Sequence, residues 1–304
     1  MNKRIKIISA VTYIIGVLLT SSLYPQEVTA QSAISLSVSP PLFEAVIKPG
    51  KEVSQIYTIS NNGGDTIITP KIVYFEAEND SGNVKLTEDP APEWVKYDKE
   101  PFNLRFQTDK QFTVLISPPE DAEEIDHFLT LVFESTTPTD ILGQNAVFYK
   151  SQIGTNILLS ISKDGNLKKS AQIVDFTAPF IIDSLKPIPY TLTLSNNGNS
   201  FWKPIGKIMI NGETLKLAEQ NVLSGSSRKI SCIEDETLKE CEIKEKFLIG
   251  KYTANLEFTI DEDPKVYKKE VTTYVFPFTY SIIGLILLTL IRFRRIFNIW
   301  RKRK

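Results

Sequence analysis

Few side chains in this chain can do chemistry. There is one histidine, His127, and there are two cysteines, Cys232 and Cys241. One imidazole leaves general-base catalysis a single place to work. Two thiols and a distant imidazole fall short of a structural zinc site. Two chemistries are open to the cysteines. Oxidised, they close a loop of about ten residues, worth roughly 2–3 kcal/mol by chain entropy. As a nucleophile, either would need a base, and none lies nearby in sequence. The carboxylates Glu123-Glu124 and Asp261-Glu262-Asp263 sit among prolines and charges and read as solvated turns. Ala77 to Asn83 resembles a calcium loop in composition only. Counted back from Gly82, its ligand positions are Ala77, Asn79 and Ser81, with no leading aspartate. Asn79-Asp80-Ser81 is a glycosylation sequon. The chain has neither a Gly-x-Ser-x-Gly elbow nor a Walker loop. The residues therefore point to a binding protein with no cofactor, metal or small-molecule substrate. Trp94 and Trp202 are the aromatics to consider as contact anchors. Core packing is the competing role for each.

The elements that would hold these residues read as strands. Ile34 to Ser39 and Val53 to Ser60 alternate apolar and polar residues, the period of a half-buried strand. Longer runs follow at Thr66 to Glu78, Phe112 to Ser117, Phe128 to Phe133 and Ala146 to Ile161. Pro70 suggests an edge or a bend within its run. After Asp164-Gly165-Asn166 the pattern restarts, with strands at Gln172 to Ile182, Tyr190 to Ser195, Ile205 to Asn211, Tyr252 to Ile260 and Val266 to Tyr274. No segment before residue 275 keeps a helical period. The expectation is all-β: two tandem antiparallel sandwiches of immunoglobulin type, at 31–163 and 167–272. Thr58 to Gly63 (Thr-Ile-Ser-Asn-Asn-Gly) matches Thr193 to Gly198 (Thr-Leu-Ser-Asn-Asn-Gly), and a proline follows each. This reads as an internal duplication. Asn and Gly tolerate positive φ, and Asn side chains bond to nearby backbone, which makes a turn there inexpensive.

The two ends place the modules. Residues 1–30 carry Lys3, Arg4 and Lys6, an apolar run from Ile7 to Leu19, and Val28-Thr29-Ala30. This is the pattern of a secretory signal peptide, with an uncleaved first span as the alternative. Val275 to Ile291 is uncharged over 17 residues, roughly 26 Å as helix, and reads as a single transmembrane span. The tail at 292–304 has seven basic residues and no acid, so the positive-inside rule keeps it cytoplasmic. Everything between is expected outside the cytoplasm. That exported part has 25 basic and 35 acidic residues, which argues against nucleic acid as a partner.

The first module resembles the exported immunoglobulin-like domains of the WxL protein-interacting family. The resemblance rests on Ser39-Pro40-Pro41, Ile47-Lys48-Pro49-Gly50, the Ser60-Asn61-Asn62-Gly63 turn and Glu93-Trp94-Val95. It extends over Leu115 to Ala122 leading into His127 to Phe133, and over the order of parts. The resemblance implies a membrane-anchored surface adaptor. Its first module would touch the cell wall peptidoglycan and its second another surface protein. It supplies no binding residue. The modules are similar also to pilus-chaperone-like bacterial sandwiches, which leaves an assembly factor that adds a strand to client proteins as the alternative.

Overall fold

The computed structural model describes residues 35–138, 148–165, 167–244, 247–261 and 263–301. The signal segment 1–30 and the last three tail residues lie outside the described residues. The first module has ten strands: β1 (Leu36–Ser39), β2 (Leu42–Ile47), β3 (Val53–Asn61), β4 (Thr66–Ala77), β5 (Val84–Pro90), β6 (Val95–Tyr97), β7 (Phe102–Leu104), β8 (Thr108–Ile116), β9 (Asp126–Pro138) and β10 (Phe148–Ile161). One sheet has the order β1-β3-β8-β6 and the other β2-β10-β9-β4-β5, with β7 also on β4. Period-2 alternation turns Tyr57, Ile59, Phe112, Val114 and Ile116 of one sheet toward Leu129, Leu131, Phe133, Ile157 and Leu159 of the other. β9 is apolar on both faces for a reason. Val132 is buried on the face away from this core, as are Phe75 and Leu158 of neighbouring strands. On that face Phe128 meets Phe201 of the second module, ring centroids 6.4 Å apart.

The second module has eleven strands: β11 (Ala171–Thr177), β12 (Ile181–Asp183), β13 (Ile188–Asn196), β14 (Pro204–Ile210), β15 (Glu213–Leu217), β16 (Ser227–Lys229), β17 (Cys232–Glu234), β18 (Thr237–Lys239), β19 (Cys241–Ile243), β20 (Gly250–Ile260) and β21 (Asp263–Phe276). A seven-stranded sheet, β12-β21-β20-β14-β15-β17-β18, faces β11-β13-β16, with β19 also on β13. Trp202 lies in the core between them and is fully buried. Cys232 and Cys241 form a disulfide with Cα atoms 4.9 Å apart, so the bond ties the large sheet to the strand beside β13.

The architecture is two immunoglobulin-like sandwiches, but neither is purely antiparallel. In each, the opening segment changes sheet at a proline. β1 pairs with β3; after Pro40-Pro41 the chain continues as β2, parallel to the end of β10. β11 pairs with β13; after Pro179 it continues as β12, parallel to the end of β21. The repeat is thus one of topology as well as sequence. Pro70 sits where β4 changes neighbours, between its pairing with β7 at Thr66–Ile68 and with β5 at Val73–Ala77. No partner there needs the missing N–H.

Two expectations are corrected. Of the two reasons for turns at Asn-Asn-Gly, positive φ is not used, since neither Gly63 nor Gly198 adopts it. The other holds, and the first asparagine carries it. Asn61 is buried; its Nδ2 donates to Gly64 O (2.9 Å) and Leu104 O (3.0 Å), and its Oδ1 accepts from Gly63 N–H (2.9 Å). Asn196 repeats the pattern with Ser200 O (2.8 Å), Val222 O (3.0 Å) and Gly198 N–H (2.9 Å). The second correction concerns the span at Val275 to Ile291. Val275 and Phe276 belong to β21, and the helix α1 runs Phe278–Arg301. Its uncharged part ends at Ile291, about 21 Å of helix against a hydrocarbon core of about 30 Å. Arg292, Arg294 and Arg295 lie within α1, and no helix among the described residues is long and apolar enough to cross a membrane.

Asn61→Ala and Asn196→Ala should each lose roughly 2–4 kcal/mol in urea unfolding, because buried carbonyls and an N–H are left without partners. Asn62→Ala, at an exposed position, should stay within about 0.5 kcal/mol of wild type. Replacing both cysteines by alanine should cost roughly 2–3 kcal/mol.

Candidate functional site

The carboxylate clusters singled out in sequence are engaged in local structure. Glu124 Oε2 accepts from Lys163 N–H at 2.9 Å. Asp261 accepts from Lys203 N–H (2.8 Å) and pairs with Lys169 Nζ (2.9 Å). Glu262 lies outside the described residues. The 77–83 segment is a turn closed by Glu78 N–H donating to Asn83 O (3.0 Å) and Ser81 N–H donating to Asn79 Oδ1 (2.7 Å). Trp94 is half-buried against the first core and edge-on to His127, centroids 5.0 Å apart. Trp202 has no exposed surface to offer a partner. His127 Nδ1 is 2.8 Å from Tyr74 Oη, and burial holds its pKa below the ordinary value despite Glu123 nearby.

The carboxylates that sequence did not single out join the modules. Asp126 opens β9 and points away from the first core. Its Oδ2 accepts from Phe201 N–H (2.6 Å) and its Oδ1 from Ser160 Oγ (2.5 Å), which lies 3.0 Å from Ser200 Oγ. Burial pushes the Asp126 carboxyl above its ordinary pKa, and hydrogen bonds from Ser160, Phe201, Ser224 and Ser200 pull the other way. Glu44 of β2 accepts from Lys203 Nζ (2.6 Å) and from Asn221 Nδ2. Lys229 N–H donates to Asp80 O at 2.6 Å. Between these contacts is a cleft of about 180 Å³, lined by Leu42, Phe75, Asn156, Asn221 and Arg228 among others. Arg228 Nη1 donates to Asn221 O at 2.7 Å, while its Nε finds no partner among the described residues. Gly82, at φ +84°, lies against this arginine; a Cβ there would stand 2.6 Å from Nη2.

Beside the cleft runs β10. It pairs with β9 along Phe148–Ser160, but with β2 only at Asn156–Ile161. Beyond that point, among the described residues, no strand pairs with the other side of β10. Hydrogen bonds fix which groups face outward. Asn156 N–H donates to Pro41 O and Ser162 N–H to Ile47 O, both on the β2 side. Ile161 N–H donates to Ile125 O, on the β9 side. By alternation, Lys150, Gln152 and Gly154 turn their N–H and C=O to the open edge. β10 has one charged residue, Lys150.

The matching edge in the second module is guarded. β21 pairs with β12 only at Tyr274–Phe276, and its remaining length contains Asp263, Pro264, Lys265, Lys268, Lys269 and Glu270. Charge and proline along an edge are what keep it from pairing with another chain. The β10 edge lacks both beyond Lys150.

No family model matches the chain. No curated protein matches it either. Solved structures similar to it include the class 5 fimbriae chaperone CfaA, 12% identical over 78% of this chain and 98% of that one, with a TM-score of 0.39. The E. coli chaperone DraB has the same identity, coverage and score. A chaperone–tip adhesion subunit pre-assembly complex, CsuC–CsuE of Acinetobacter baumannii archaic chaperone-usher Csu pili, is 11% identical over 80% and 99%, with a TM-score of 0.37. At such identity and score, what this chain does has to be argued from its own edges and cleft.

Asp126→Ala should lower stability by roughly 1.5–3 kcal/mol, since Phe201 N–H and Ser160 lose a charged acceptor. The first and second modules should then unfold in separated transitions on calorimetry. His127 has a folded pKa below its unfolded value of about 6.5, so the unfolded chain binds the extra proton first on acidification. Its contribution is present above about pH 6.5 and is lost as pH falls toward the folded pKa. Comparing urea midpoints of wild type and His127→Phe across this range should show the difference shrinking with acid.

Proposed function

We propose that this chain is a non-catalytic binding protein that takes up an extended segment of a client by strand addition to β10. The carrying observation is the asymmetry of the two equivalent edges: β21 is guarded by charge and proline, and β10 is unpaired from Lys150 to Gly154 among the described residues. The client strand would extend the first module's second sheet, its main chain bonding to Lys150, Gln152 and Gly154. Three outward residues offer about six main-chain bonds, worth roughly 1 kcal/mol each at best. That corresponds to a Kd of about 0.04 mM before the entropy cost of association. Useful affinity then needs client side chains to bury apolar surface as well, as strand-addition sites do through alternate side chains. Ile153, half-buried at the margin of the core, is the first such contact on the described strand. The disulfide supports placing the modules outside the cytoplasm, where such bonds persist.

A surface adaptor that displays the modules to wall or to another surface protein, as the order of parts suggests, is the competing reading. Gln152→Pro separates them. It removes an outward N–H at an edge and one exposed side-chain bond, Gln152 Nε2 to Glu134 Oε1 (2.9 Å), so the module should fold within about 1 kcal/mol of wild type. Proteins co-purifying with the wild type through photo-crosslinks at Ile153 should be lost with Gln152→Pro and retained with Glu270→Pro on β21, where the N–H also faces outward. Binding to purified cell wall, untouched by Gln152→Pro, would favour display and count against strand addition.

A further inference from the structure

The end of the second module where α1 begins is apolar to a degree that its own fold does not require. Phe180 is 73% exposed, Ile249 60%, Tyr280 53%, Ile181 50%, Phe276 48% and Phe247 45%. They come from three separate segments that hydrogen bonds bring to one place. Tyr274 N–H donates to Phe180 O (2.9 Å), Ser184 N–H to Phe276 O (3.1 Å), and Leu248 N–H to Ser184 O (3.0 Å). Ring contacts link the same segments: Phe180 with Tyr274 at 5.4 Å and Phe247 with Tyr280 at 5.8 Å. Together they form a collar around the start of α1.

α1 leaves through this collar on a fixed heading. Thr279 N–H, in its first turn, donates to Asp183 Oδ2 at 2.8 Å, so the sheet supplies the cap that the helix lacks. From Ile282 to Ile291 every aliphatic side chain is between 48% and 64% exposed, on all sides of the helix. A helix without a polar face neither lies flat at an interface nor remains in water; it is surrounded by apolar matter. Arg292, Arg294 and Arg295 follow, their charge complementary to anionic headgroups.

We infer that the collar of the second module seats on a lipid surface, with its aromatic and aliphatic side chains at headgroup level and α1 immersed beneath it. The partner is lipid, on three observations together: exposed aromatics gathered where the helix begins, an aliphatic stretch exposed all round beyond them, and a cationic end. α1 enters from the collar side, and Arg292, Arg294 and Arg295 reach polar surroundings by extending their side chains toward headgroups. Immersion is independent of strand addition and can fail without it.

The test uses the full chain. Both native cysteines are in the disulfide, so single cysteines at Phe180, Ile249, Leu285 and, as control, exposed Phe106 of the first module can be labelled selectively with an environment-sensitive fluorophore. The labelled protein is mixed with phosphatidylcholine–phosphatidylglycerol vesicles carrying nitroxide quenchers at either headgroup or mid-chain depth. The chain should float with the vesicles. Labels at Phe180 and Ile249 should be quenched several-fold more by the shallow probe than by the deep one, and Leu285 the reverse, with Phe106 unaffected. A chain that stays at the bottom of the gradient would overturn the proposal. So would collar labels that match Phe106 while Leu285 is quenched, or Leu285 labels that are shielded without lipid by a second copy. Unchanged thermal unfolding of each variant confirms that the module is folded.

Discussion

A strand edge carries a row of backbone donors and acceptors, and each row must be paired, covered or guarded. In this protein that requirement is set by where the opening segment changes sheet. β2 reaches only the last six residues of β10, and β12 only the last three of β21. Both closing strands run 14 residues, so each extends well past its parallel partner. The geometry is the same twice; the side chains then decide what each exposed row does. Lysines, acids and a proline occupy β21, and β10 has serine, glutamine, isoleucine, glycine and threonine from Ser151 to Thr155.

The join between modules follows from the same strands. Asp126 opens β9, Glu44 lies on β2, and Ser160 is near the end of β10. All three reach the second module from the sheet that bears the open edge. A charge on that face would ordinarily be solvated, and here each carboxylate is met by donors from the other module. Burying a carboxylate is tolerated only with such compensation. Breaking one partner therefore costs more than the bond alone would suggest.

Much of this was legible in the chain. Alternation located the strands, and the repeated Ser-Asn-Asn-Gly located the duplication. Of the two reasons for the Asn-Asn-Gly sites, positive φ was wrong and asparagine bonding to nearby backbone was right; that the first asparagine is buried was not legible. Asp126 and Glu44 were missed because a lone acid beside an apolar run looks the same whether water or another module faces it. Hydrophobicity at Phe128 to Phe133 located a strand, but no local signal shows that the second module covers its other face. Val275 and Phe276 were indistinguishable from the helix that follows, since apolar residues suit a closing strand equally well. Pro40-Pro41 marked the end of a strand correctly, but no local signal shows that the chain resumes in the opposite sheet.

Asp183 has a consequence for the whole molecule. It ends β12, which is zipped to β21, and its carboxylate holds the first turn of α1. The helix is thus not a tether on a swivel. It is keyed to the second sandwich, which is bolted in turn to the first through Asp126 and Glu44. Whatever medium receives α1, the molecule stands in it at one tilt, like a bracket, with the bare rim of β10 held at a set height and facing a set direction.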